Sequence, residues 1–121
     1  MAAECKVTVT AQMSGLGKLL EFVETFTSTT TPTRKAFVYQ VQGVAGTEEA
    51  LDMGDITTPE LVILKCVAND VDIDTSFSVA FSAEITVNEG EVAIFKPTGT
   101  VYIKNDDSEE VSTVEALIIG T

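Results

Sequence analysis

Three aspartates at alternate positions, Asp70, Asp72 and Asp74, are the closest this chain comes to a ligand set. Their D-x-D-x-D spacing matches the opening of an EF-hand loop, in which side-chain oxygens at alternate positions meet a hard cation. The rest of that loop is missing, because Thr75 stands where the pattern needs glycine and Phe81 where it needs a bidentate glutamate. Two readings stay open. One is a looser calcium site that joins these acids to another loop; the other is an acidic strand edge that discourages sheet-to-sheet aggregation.

Other chemistry finds less to work with. The chain has no histidine, which removes the commonest general base, the Ser-His and Cys-His pairs and most catalytic zinc sites. Paired carboxylates could hydrolyse a glycosidic bond. The acids here fall in apparent loops and on polar faces, with nothing to raise one pKa beside a second group that stays ionised. Cys5 and Cys66 lie half a chain apart, unlike the close pairs that hold zinc, and each sits in an apparent strand. Their expected state is the free, buried thiol, since a reducing cytoplasm disfavours a disulfide. Gly15 and Gly17 lack the helix and the Lys-Ser/Thr pair of a phosphate loop. The expectation is a protein without enzymatic activity, metal or cofactor.

The elements that carry these residues read as β throughout. Residues 76–87 alternate without a slip, with Phe77, Val79, Phe81, Ala83, Ile85 and Val87 on one side and Ser76, Ser78, Ala80, Ser82, Glu84 and Thr86 on the other. A period of two is a strand period, and it predicts one long strand with its apolar face on a core. Further strands are expected at residues 5–13, 18–27, 35–42, 61–67, 71–74, 92–95, 100–104 and 111–119, with 44–59 as a connection carrying short strand pieces near 50–53 and Ile56. Residues 27–33 read as a solvated loop or stiff edge, because Pro32 donates no amide proton. The near-continuous apolar run Leu61-Val62-Ile63-Leu64-Lys65-Cys66-Val67 predicts a strand with both faces mostly covered. The acidic stretch 105–110 reads as a solvated hairpin connection. Aliphatic Ala116-Leu117-Ile118-Ile119 predicts that the last strand is paired inside a sheet. About eight to ten short strands with recurrent turn signals point to an all-β antiparallel sandwich or barrel, one domain over residues 1–121.

Charge narrows the partners. With 121 residues and a formal net charge of −12, the chain repels phosphate, and its basic residues Lys6, Lys18, Arg34, Lys35, Lys65, Lys96 and Lys104 are dispersed. Nucleic acid and anionic membranes are excluded as expected partners. No apolar run approaches the roughly 18 residues of a membrane span. The opening residues, Met1 to Lys6, have neither a basic nor an apolar signal region, so synthesis in the cytoplasm is expected.

Residues 50–59 (ALDMGDITTP), the run from Leu61 to Leu64, the Asn69-Asp70 turn, residues 87–95 (VNEGEVAIF), residues 101–104 (VYIK) and residues 114–119 (VEALII) together form a pattern. It resembles small virion proteins of tailed bacteriophages, particularly jelly-roll capsid decoration, or cement, proteins. The resemblance covers residues 50–119 and rests on scaffold motifs. It implies a jelly-roll sandwich that assembles as a homodimer or homotrimer and binds the major capsid protein on the outer surface of the virion. Residues 6–13, 27–33 and 43–59 are the candidate contact elements. A tail- or fibre-associated module and a carbohydrate-binding β-sandwich are the alternatives, the latter poorly provided with only Tyr39 and Tyr102 and no Trp.

Overall fold

Alternating β-branched, aromatic and polar residues produce ten strands and no helix among the residues described by the computed structural model, 3–29 and 31–121. Met1 and Ala2 of the opening, and Thr30 of the expected 27–33 loop, lie outside the described residues. By contact, the chain divides into two compact units, Met1–Thr33 and Arg34–Thr121.

The first unit is a two-stranded antiparallel ribbon of β1 (Cys5–Met13) and β2 (Leu20–Thr29). Its connection needs two backbone conformations that side chains disfavour, supplied by Gly15 at φ 88° and Gly17 at φ 86°. The expected loop at 27–33 begins later than the sequence indicates, because β2 continues through Thr29 to pair with Cys5 across an irregularity in register.

The second unit holds eight strands: β3 (Arg34–Gln42), β4 (Glu49–Ala50), β5 (Pro59–Ala68), β6 (Val71–Phe77), β7 (Ile85–Val87), β8 (Val92–Phe95), β9 (Thr100–Lys104) and β10 (Ser112–Gly120). They form two four-stranded sheets, ordered β3-β10-β5-β8 and β4-β9-β6-β7. The pairs β3–β10, β4–β9, β5–β8 and β6–β7 are all antiparallel. First strand with last, second with next to last, and so inward, is the pairing of one long hairpin rolled into two sheets. That is a jelly roll. As the aliphatic run predicts, β10 is an interior strand, flanked by β3 and β5.

The expected long strand at 76–87 does not form. β6 ends at Phe77 and β7 begins at Ile85, and the two pair with each other through Val71↔Val87, Asp72↔Thr86 and Ile73↔Ile85. Val79, placed by its alternation on the core face, is 93% exposed. The break has a local cause. The two Asp74 carboxylate oxygens accept the backbone N–H groups of Ser76 and Ser82, each at 2.9 Å, so a side chain competes with the ladder for backbone donors. Glu84 returns to the sheet by donating its N–H to Ile73 O at 2.9 Å. β8 likewise pairs with β5 in the opposite sheet rather than with the strand before it. The stretch 105–110 joins β9 and β10 across the two sheets rather than closing a hairpin.

The core lies between the sheets. Val62, Leu64 and Cys66 of β5 and Val114, Ala116 and Ile118 of β10 face Val71 and Ile73 of β6, Val87 of β7, and Val101 and Ile103 of β9. Each large aliphatic side chain buried there contributes about 1.5–3 kcal/mol. The outer face of β5 is covered unevenly: Leu61 is buried, Ile63 half-buried and Lys65 exposed. On β3 the small residues Ala36 and Val38 turn to the core, and Phe37 and Tyr39 turn out.

Candidate functional site

Asp70 immediately precedes β6 and Asp72 and Asp74 lie on it, and the Asp72 and Asp74 carboxylates already accept hydrogen bonds. Asp74 is 2% exposed and ties down the 78–84 connection as described. The backbone N–H of Ser82, then that of Ser76, holds its carboxyl below the usual carboxylate range. Asp72 accepts the Thr86 hydroxyl at 2.7 Å. Asp70 is exposed, and its backbone carbonyl accepts the Ser112 hydroxyl. Among the described residues, no group of three or more His, Cys, Asp or Glu could hold a metal ion. The connection also covers part of the outer face of its own sheet. Phe77 stacks on Tyr102 with centroids 3.7 Å apart, and Lys104 Nζ lies 5.9 Å from the centre of the Phe81 ring.

A second polar group knits one end of the jelly roll. Asn105, 1% exposed, donates through Nδ2 to Gly43 O at 3.2 Å and Glu110 O at 2.8 Å. Asp107 accepts the N–H groups of Glu109 and Glu110 at 2.7 and 3.1 Å and the Asn69 amide at 3.2 Å. Those backbone donors hold its carboxyl below its ordinary value. A carboxylate kept ionised by backbone donors orders a loop; it is the opposite of a general acid, which needs its pKa raised.

Both cysteines are free. Cys66 is buried, donating its S–H to Asn69 O at 3.0 Å and Ala68 O at 3.4 Å, and burial pushes its thiol pKa up. That is the environment of an inert thiol. At the other end of the jelly roll an open depression of about 480 Å³ is lined by Leu51, Met53 and Ile56 together with threonines of the 57–58 and 98–100 segments.

What the chain does expose is apolar surface. In the ribbon, the cross-strand pairs Val7↔Phe26, Val9↔Glu24, Ala11↔Phe22 and Met13↔Leu20 share one face, apolar but for Glu24. Thr8↔Thr25, Thr10↔Val23 and Gln12↔Glu21 share the other, the first and last joined by side-chain hydrogen bonds at 2.8 and 2.6 Å. On the apolar face Leu20 is 61% exposed and Phe22 55%. On the jelly roll, registers place Phe37, Leu117, Ile63 and Ile94 in one row across all four strands of the first sheet. The adjacent row is Tyr39, Glu115, Lys65 and Val92. Phe37 and Tyr39 are largely exposed. Of the contact elements expected from sequence, residues 6–13 form β1 of this amphipathic ribbon. The outer face of β3 was not among them; its signal was the alternation of Phe37, Tyr39 and Val41.

Among protein families, curated proteins and solved structures, none matches this chain.

Proposed function

We propose that this chain is a non-enzymatic structural protein of a tailed-bacteriophage virion, a capsid decoration protein that binds the outer surface of the major capsid shell and stabilises it. The observation that carries this reading is the combination of a jelly roll with an amphipathic ribbon whose Leu20, Phe22 and Phe26 are exposed. A two-stranded ribbon is marginally stable in water by itself, and an apolar face on one gains most from a surface that covers it. Many copies on one shell turn a modest contact into a firm hold, because each added contact reinforces the lattice beneath it. The charge of −12 suits an outward position, away from packaged nucleic acid.

The reading is tested by mixing the purified protein with expanded phage heads that lack it. High-copy loading and a rise in the heat resistance of the heads are expected. A protein that leaves the heads bare and their heat resistance unchanged contradicts the proposal, and presence at only a few copies per particle points to a tail component instead.

A further inference from the structure

β3 is an edge strand of its sheet among the described residues. It pairs with β10 along all nine of its residues, from Arg34↔Gly120 to Gln42↔Ser112, with no irregularity in register. Its other side has no neighbour in the sheet order. Natural edges are blunted by proline, bulges, charged side chains or a covering loop, and here the 50–55 connection meets β3 through its inward side chains, Gln40 accepting Asp52 N–H at 2.8 Å and donating to Ala50 O at 3.1 Å. Between Ala36 and Gln42 β3 has no proline, bulge or charge, and it carries Phe37 at 71% and Tyr39 at 63% exposure.

We propose that this protein forms a two-fold symmetric dimer by antiparallel pairing of β3 with β3 of a second copy, centred on Val38. The full overlap of strand Arg34–Gln42 with itself has only that centre. It places Phe37 opposite the partner's Tyr39, and Tyr39 opposite the partner's Phe37, on the outer face. Aromatic pairs directly opposite each other are among the better cross-strand contacts. Charge selects the same arrangement. The only charges on β3 are Arg34 and Lys35 at one end, with Arg34 already paired to Asp55 at 2.7 Å. The antiparallel register sets them against the partner's neutral Gln42 and Val41, whereas a parallel one would set lysine on lysine. No acid of this acidic chain lies on the pairing strand itself, and of the acids bonded to it Asp55 is neutralised by Arg34. The apolar row Phe37–Leu117–Ile63–Ile94 then meets the partner's Tyr39, beyond which the partner's Glu115 and the partner's Lys65 follow in the same row of a continuous two-copy sheet. An isologous contact of this kind closes at two copies.

This inference sharpens the oligomeric part of the proposed function. It is tested on the full chain without heads, so failure to dimerise and failure to bind heads are separate results. Sedimentation across a concentration series should show a monomer–dimer equilibrium. The Phe37→Lys/Tyr39→Lys chain, which puts like charges opposite each other twice, should weaken dimerisation by about tenfold or more with an unchanged far-ultraviolet circular dichroism spectrum. The Phe37→Glu/Tyr39→Lys chain, which puts opposite charges in the same places, should restore it. A wild-type monomer at every concentration, a trimer, or a dimer indifferent to both substitutions overturns the proposal.

Discussion

The Asp74 carboxylate accepts the backbone N–H of Ser82 across eight positions of sequence at 2.9 Å, and this contact turns an apparently continuous strand into a hairpin. Its partner oxygen accepts Ser76 N–H at the same distance. A carboxylate whose ionised form is favoured by the fold contributes stability above the roughly 3.9 of a free aspartate and loses it as pH falls towards the depressed native value. Asp107 shifts in the same direction. Stability should therefore fall on acidification through and below the ordinary carboxylate range. In Asp74→Asn, the melting midpoint at neutral pH should drop, and the gap from wild type should narrow in acid. A gap that does not change with pH would mean that the charge of Asp74 plays no part.

The same connection separates two expectations for Val79. On a continuous strand it would face the core, and a charge there would be severely destabilising. With the side chain 93% exposed, Val79→Asp should change unfolding free energy by no more than about 0.5 kcal/mol. Ile73→Ala, at a fully buried position of the adjoining strand, should cost about 2–5 kcal/mol. Denaturant melts of the two variants compare these directly.

Gly120 pairs with Pro59 at the start of β5, beside an irregularity in register. A methyl group there would overlap Thr58 O and press on Pro59 Cα, both of them backbone. Beside it, Thr121 O accepts the N–H groups of Thr57 and Thr58, each at 2.9 Å. Gly120→Ala should destabilise the jelly roll by about 1–3 kcal/mol, read from denaturant midpoints at unchanged m-value. A variant as stable as wild type would show that the pairing has room to move.

Much of the architecture was legible because strand period and turn residues are local signals. β1, β8 and β9 begin and end where the alternation does, and Gly90 at φ 85° marks its turn. Two things were not legible. Alternation records which side chains share a face but not whether the backbone finds a ladder, so residues 78–84 read as strand although Asp74 had captured two of the neighbouring amide groups. Alternation also leaves open which face meets the core. On β3 the aromatic side looks like the inner one, yet Ala36 and Val38 pack inward, and Phe37 and Tyr39 are left to solvent. The aspartate series was visible from its spacing, but its role in turn formation was not, because the partners are backbone donors and a hydroxyl that spacing cannot reveal.

The measurement that bears most directly on the proposed role is the loading of a ribbon variant onto heads. Phe22→Asp/Phe26→Asp changes two side chains on the exposed face of β2 and should leave the melting of the jelly roll unchanged. If the ribbon is the anchor, binding to expanded heads should weaken by at least about tenfold, with the heat protection of the heads lost in parallel. A variant that loads and protects heads as wild type does would contradict the assignment of the ribbon as the contact, and a wild-type protein that binds no heads would contradict the decoration role itself.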